Sequence, residues 1–129
     1  MKLSSQMQFD PASSVVIVDA EVRAAHSTIT TLAVDTGSSY VVISWRLINA
    51  LGIKIDPKRI LQITTATTVE TVPKVTIPEV RVIGKSVKNV EAIVKDLPSE
   101  SHVDGLLGLS FLENFNLKID FTNGELEIL

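Results

Sequence analysis

The 129 residues, 45% hydrophobic and 21% charged, are enough for one soluble domain with a sizeable core but too few for two. The net charge of −3 comes from 12 basic and 15 acidic residues spread along the chain, which argues against a nucleic-acid or anionic-membrane partner. Cysteine is absent, so disulfides, thiolate nucleophiles and cysteine metal sites are excluded.

The N-terminal segment is predicted to lie outside the folded domain. Residues 1–13 are polar and lack periodicity, which predicts a flexible tail ahead of a domain over residues 14–129. The segment has no apolar h-region, and no apolar run in the sequence approaches membrane-spanning length. We therefore expect a cytoplasmic protein, or a soluble fragment of a longer polypeptide, without a membrane partner.

The first part of the domain predicts strands followed by a short helix. β-Branched and apolar residues concentrate in three predicted strands, at 14–24, 27–35 and 40–43. Ser44 can then act as the N-cap of a helix over residues 45–51, and Gly52 can end that helix in the left-handed conformation.

Two hairpins are predicted in the middle of the chain. Residues 62–75 are rich in Thr and Val with few long apolar side chains, which predicts a hairpin that is largely solvated. Residues 76–96 alternate on either side of the Gly-Lys-Ser segment at 84–86, which predicts a second hairpin. Pro73 and Pro78 favour edge positions, because proline cannot donate to a sheet ladder.

The C-terminal segments predict a strand, a short helix and a last hairpin. The apolar run at 103–110 is followed by Ser110 and Glu113 at the spacing of a capping box, which predicts that Ser110 opens the helix. Asn123 and Gly124 lie between two alternating runs, the pattern of a tight hairpin. The whole pattern predicts a mainly β domain, a sandwich or a partly closed barrel, with two short helices.

Asp35 is the residue that the apolar pattern does not explain. A Val-rich run breaks at Asp35, and an apolar run resumes at Tyr40. Burial of an unpaired carboxylate is costly, so such a residue is neutralised, paired or functional. Thr36 and Gly37 supply local donors and a tight turn, which indicates either a functional carboxylate or an Asx-type turn that only ends a strand.

Two segments resemble the signatures of aspartic proteases. Residues 31–44 resemble the active-site segment, in which Asp-Thr-Gly-Ser/Ala lies between apolar runs. Leu106, Leu107 and Gly108 resemble the second signature, which crosses behind the catalytic loop in that family. Because the chain has one Asp-Thr-Gly, it is similar to the single-domain, retropepsin-like branch. The resemblance implies an all-β, acid-protease-like partly closed barrel, one lobe per chain, without metal or cofactor.

One carboxyl per chain makes assembly a requirement for this chemistry. Hydrolysis of a peptide bond by an activated water needs a base for the water and an acid for the substrate, and one carboxyl cannot hold both roles. In a twofold homodimer the Asp35 side chains of both subunits would meet and share a proton. The resemblance thus implies a homodimeric aspartic endopeptidase that cleaves extended, mainly apolar segments of peptide or protein substrates.

The resemblance also implies roles for the neighbours of Asp35. Thr36 would bond to its counterpart across the dimer axis, the Gly37 backbone would approach the carboxyl, and the Ser38 hydroxyl would bond an outer carboxyl oxygen. The flap, a hairpin that closes over substrate, is assigned to Thr65, Ala66, Thr67 and Thr68. Residues 61–75 contain no glycine, although flap tips of this family commonly carry one.

Other candidate sites are predicted to be structural. The segment at 84–86 is interpreted as a turn rather than the end of a P-loop, and Asp104 as a turn residue. His26 and His102 lack metal-ligand spacing and are predicted at the surface or in loops. Four aromatic residues are predicted in the core: Trp45, Phe111, Phe115 and Phe121.

Two other functions stay open at this point. The same fold could serve as a catalytically inactive dimerisation or peptide-binding module, an alternative that the glycine-free flap supports. A small-ligand β-barrel would instead have a large pocket inside each monomer and no site at a subunit boundary.

Overall fold

Strands dominate residues 5–129, the part of the chain that the computed structural model describes. The strands are β1 (Gln6–Gln8), β2 (Ile17–Arg23), β3 (Ser27–Val34), β4 (Val41–Ile43), β5 (Ile60–Thr64), β6 (Val69–Val82), β7 (Lys85–Val94), β8 (Gly105–Leu107), β9 (Leu117–Asp120) and β10 (Glu125–Ile128). The helices are α1 (Trp45–Leu51) and α2 (Leu109–Leu112), and Ser99–Ser101 forms a 3₁₀ turn. The prediction of a mainly β chain with two short helices is confirmed.

Six strands form a barrel in the order β2-β3-β8-β4-β7-β6, and a pairing between β2 and β6 closes it. The β3–β8 and β4–β7 pairs are parallel, whereas the other neighbours in the barrel are antiparallel. Alternate residues point inward and fill the interior. Five large side chains that are less than 2% exposed are Leu32, Ile43, Ile77, Leu107 and Phe111. A barrel filled in this way does not have the internal pocket that a small-ligand carrier needs.

A second, smaller sheet has the order β1-β10-β9 and contains part of the predicted tail. Met7 pairs with Leu126, and the Phe9 N–H donates to the Gly124 carbonyl at 2.8 Å. Met7 and Phe9 also pack against the core. Residues 6–9 are therefore ordered parts of the fold, which corrects the prediction of a flexible tail over residues 1–13. Residues 1–4 of that prediction lie outside the described residues.

Helix α1 has the predicted ends. The Ser44 hydroxyl accepts a hydrogen bond from the Leu47 N–H at 3.2 Å, and Gly52 ends the helix with φ of 72°. A hydroxyl N-cap satisfies an otherwise unpaired N–H, and glycine adopts positive φ at low cost. Both predictions are confirmed.

Helix α2 begins two residues earlier than the capping-box spacing predicts. Gly108 is its N-cap, and Ser110 lies inside the helix. The Ser110 hydroxyl accepts from the Val41 N–H at 2.9 Å and donates to the Glu91 carbonyl at 2.7 Å. The prediction that Ser110 caps α2 is therefore wrong, because its hydroxyl bonds two barrel strands that are distant in sequence.

The predicted hairpins form, although their prolines do not lie on an edge strand. Strand β6 pairs with both β5 and β7. Pro73 stands where β6 changes partner from β5 to β7, and Pro78 lies between the pairs Ile77–Val90 and Glu79–Lys88. Breaks in a ladder accept proline for the same reason as an edge, because no N–H is required there.

The aromatic residues divide between the core and the surface. Phe111 is fully buried and Phe115 packs against it, with ring centroids 5.3 Å apart. Trp45 and Phe121 are 41% and 65% exposed, so the prediction that they belong to the core is wrong. Trp45 is the first residue of α1, and Phe121 lies in the turn after β9, so neither faces the barrel interior.

Candidate active site

Asp35 lies in the loop that joins β3 to β4, immediately after Val34, the last residue of β3. Its N–H donates to the Leu107 carbonyl on β8 at 3.1 Å, which extends the β3–β8 pairing by one residue. Its carboxylate accepts from the Gly37 N–H at 2.9 Å, and its carbonyl accepts from the Ser38 N–H at 3.2 Å. The Asp35 side chain is thus half-buried and held by the backbone of its own loop.

Gly108 and the start of α2 lie directly behind this loop. The Leu109 N–H donates to the Ser38 carbonyl at 2.8 Å, and the Ser110 N–H donates to the Ser39 carbonyl at 3.0 Å. A Cβ atom at Gly108 would lie 2.2 Å from the Tyr40 carbonyl oxygen. Only a residue without a side chain fits this approach, so the second signature and the loop of Asp35 form one backbone unit.

The side chains of Ser38 and Thr36, two neighbours of Asp35, do not bond to its carboxyl within the chain. The Ser38 hydroxyl donates to the Tyr40 carbonyl at 2.7 Å. That contact differs from the bond to the Asp35 carboxyl that the resemblance implies, because the turn directs the hydroxyl back toward the start of β4. Thr36 is exposed at the surface of the chain.

A cleft of about 490 Å³ opens beside Asp35. Its floor is one face of three neighbouring strands, where Val42 is paired with both Ile93 and Leu106. Leu61 and Ile63 of β5 cover this floor, and the two layers form a small apolar cluster separate from the barrel interior. The cleft therefore has a carboxylate at one side and apolar residues on its floor and covering strand.

The β5–β6 hairpin over the cleft contains the predicted flap residues in its turn. The Thr65 hydroxyl accepts from the N–H groups of Thr67 and Thr68 at 3.4 and 3.1 Å, and the Thr65 N–H donates to the Thr68 carbonyl at 2.8 Å. Ala66, the remaining predicted flap residue, is exposed in this turn. No residue of this turn has positive φ. A threonine hydroxyl thus closes the turn, and glycine is not required for it.

The flap residues that line the cleft are not those assigned from the sequence. They are four residues of β5: Leu61, Gln62, Ile63 and Thr64. The alternation of Leu61 and Ile63 with more polar residues signals a one-sided strand, and could have indicated this wall. Ile93 and Lys95 of the floor carry no comparable local signal, because strand pairing alone brings them beside β5.

The other candidate sites have structural contacts. Asp104 accepts from the Thr30 hydroxyl at 2.8 Å and from Arg46 at 3.2 Å, so it joins β3 and α1 ahead of β8. His26 and His102 are exposed, as predicted. Gly84, with φ of 75°, lies in the turn of the β6–β7 hairpin, which confirms the predicted hairpin. The turn residues are 83–84, and Lys85 and Ser86 already belong to β7.

Comparison with known proteins identifies the family. The sequence model of aspartyl proteases matches residues 18–111, which include Asp35, the cleft and Gly108. The chain belongs to the aspartyl protease family. A search of curated proteins with this sequence found no match.

The fold is that of retropepsin-like aspartic proteases. The crystal structure of a retropepsin-like aspartic protease from Rickettsia conorii superposes with a TM-score of 0.67 and 24% sequence identity. The match covers 95% of this chain and 87% of that chain. The all-β, acid-protease-like barrel predicted from the sequence is confirmed, and the barrel is closed rather than partly closed. In residues 5–129 no helix is long and apolar enough to cross a membrane.

Proposed function

We propose that the protein is an aspartic endopeptidase that acts as a homodimer, with the Asp35 side chains of both subunits in one active site. The observation that carries the proposal is that Asp35 is the one carboxylate among the residues that line the cleft. The fold and family are those of proteases that need two carboxyls, and a single chain offers one here. A second copy related by a twofold axis would supply the other.

In this dimer one carboxyl takes a proton from a bound water, and the other donates a proton to the carbonyl oxygen of the scissile bond. Two adjacent carboxyls do not both ionise readily, so the pair would share one proton. The Gly37 N–H, 2.9 Å from Asp35 Oδ1, keeps one oxygen oriented while the other faces the reacting atoms. The exposed side chain of Thr36 is free to bond to its counterpart across the axis.

The substrate is an extended segment of a peptide or protein with mainly apolar side chains. The apolar floor and the β5 wall would bury these side chains, and burial contributes roughly 25 cal/mol per Å² of apolar surface. Closure of the hairpin over the substrate would exclude water from the reacting bond. The reaction needs neither a metal nor a cofactor.

The decisive experiment compares Asp35→Asn with the wild type in peptide cleavage between about pH 4 and about pH 7. We expect Asp35→Asn to lose at least about 10³-fold in kcat/KM, because the asparagine amide can act neither as base nor as acid. Asp19→Asn, which changes an exposed carboxylate on β2, is the matched control and should cleave like the wild type.

Mixing the two chains tests the shared site. If each site needs both Asp35 side chains, activity at a fixed total chain concentration should fall with the square of the wild-type fraction as Asp35→Asn chains replace wild-type chains. Sedimentation should give twice the monomer mass of 14.0 kDa. A strict monomer, or cleavage that survives Asp35→Asn, would rule the proposal out. A dimer that binds peptides without cleaving them at any pH would identify the inactive peptide-binding module instead.

A further inference from the structure

Lys95 is the one cation among the residues that line the cleft. Its N–H donates to the Ile43 carbonyl at 2.9 Å, which continues the β4–β7 pairing past Val94. Because side chains alternate along an extended strand, Lys95 lies on the same face as Ile93, on the floor of the cleft. A charged side chain thus continues an otherwise apolar floor.

Glu70 on β6 holds the Lys95 ammonium. Glu70 is paired with Ile63 across the hairpin, so its side chain is on the face of the hairpin that covers the cleft. Lys95 Nζ bonds to Glu70 Oε2, and the two side chains are 28% and 39% exposed. The ion pair therefore joins the floor of the cleft to the covering hairpin, and more than half of each of its two side chains is buried.

Lys95 borders the cleft, whereas Glu70 does not. Lys95 lines both the cleft and an adjoining groove of about 310 Å³, whereas Glu70 lines the groove, beside Trp45. An ammonium has three N–H donors, and its bond to Glu70 uses one of them. A substrate side chain in the cleft therefore meets a hydrogen-bond donor whose charge is already compensated.

Charge balance selects the kind of side chain that suits this donor. A substrate carboxylate would compete with Glu70 for Lys95 and would share the cleft with the Asp35 carboxyl. An apolar side chain would leave a withdrawn ammonium with unsatisfied donors. A carboxamide accepts a hydrogen bond from Lys95 without adding charge, and the glutamine stem is long enough to pack on apolar residues such as Ile93 and Leu97.

We infer that Lys95, positioned by Glu70, forms a polar subsite that selects a substrate glutamine over leucine or glutamate at one position near the scissile bond. This inference rests on the proposed protease function. It adds a specificity residue to a cleft whose floor is otherwise apolar.

The test uses sets of peptides that are identical except for glutamine, leucine or glutamate at one position, with each position near the cleaved bond varied in turn. For the wild-type dimer we expect one position at which glutamine raises kcat/KM about three- to tenfold over the other two residues. Lys95→Met keeps an apolar stem without donors and should abolish this preference. Lys88→Met, at an exposed position of β7, is the matched control and should keep it.

Glu70→Gln supplies an independent variant. It leaves the Lys95 charge uncompensated, so the preference should shift from glutamine to glutamate at the same position. A variant that only loosened the hairpin would change the cleavage of all three peptides alike, so the ratio between peptides is the measurement.

Three results would overturn the inference. They are a wild-type enzyme with no glutamine preference at any position, a preference that survives Lys95→Met, and a Glu70→Gln variant that does not gain on glutamate. A wild-type dimer that cleaves no peptide would instead refute the protease function itself, and this subsite with it.

Discussion

Gly108→Ala should damage the catalytic loop without unfolding the chain. The added Cβ would lie 2.2 Å from the Tyr40 carbonyl oxygen and 2.6 Å from that of Ser38, whereas real contacts of this kind are at least 3.0 Å long. The distance between the added Cβ and the Tyr40 oxygen must therefore increase by at least 0.8 Å, from 2.2 to 3.0 Å. Both atoms are backbone, so no side-chain rotation can relieve the contact.

The cost of this displacement has two sources. Hydrogen bonds from the Leu109 and Ser110 N–H groups to the loop would weaken, at about 1 kcal/mol each. Overpacking of a tight site adds about 1–3 kcal/mol. We expect the free energy of unfolding to fall by about 3–5 kcal/mol, a large part of the roughly 5–15 kcal/mol typical of a domain. Urea denaturation followed by circular dichroism measures this loss.

Catalysis should suffer as well as stability. A displacement of about 1 Å at a catalytic group costs on the order of 10²-fold in rate, so Gly108→Ala should lose about that much kcat/KM in the folded protein. Gly84→Ala is the control. Gly84 has φ of 75° and no heavy atom within 4 Å of an added Cβ, so its substitution should cost about 1 kcal/mol of stability and no activity. A Gly108→Ala protein within 0.5 kcal/mol and twofold of the wild type would refute the argument from close approach.

Two further substitutions test contacts outside the cleft. Ser110→Ala removes the hydrogen-bond partner of the buried Val41 N–H and of the Glu91 carbonyl. Urea denaturation should therefore show that the free energy of unfolding falls by about 1–3 kcal/mol. A fall below about 0.5 kcal/mol would contradict the role assigned to Ser110. Hydrogen bonds from the backbone and then the side chain of Asn123 hold the pKa of Asp120 below its ordinary value of about 3.9. The stabilisation by the Asp120 carboxylate is therefore present above about pH 3.9 and is lost as the pH falls through the lowered pKa. The difference in the free energy of unfolding between wild type and Asp120→Asn should accordingly shrink in acid. An NMR titration that places this pKa at or above the ordinary value would contradict the prediction.

Much of the fold could be predicted because its signals are local. Local signals predicted the β-branched runs, the Ser44 cap, the Gly52 stop and the turns that contain Gly84 and Gly124, because each depends on residues within a few positions of one another. The unusual place of Asp35 in an apolar run, and the glycine at 108, were visible for the same reason. Each is a departure from a pattern that the neighbouring residues set.

Tertiary structure decided every feature that depends on a distant partner. The short strand β1 is stable only because β10, more than a hundred residues later, pairs with it. Ser110 matched a capping box, yet its hydroxyl binds β4 and β7, and the Ser38 hydroxyl turns to Tyr40. Strand register brought Lys95 to the floor of the cleft and Glu70 to the hairpin above it. A hydrogen-bonding side chain pairs with whichever group the folded backbone places nearest. That group can be distant in sequence, so the neighbouring residues do not reveal it.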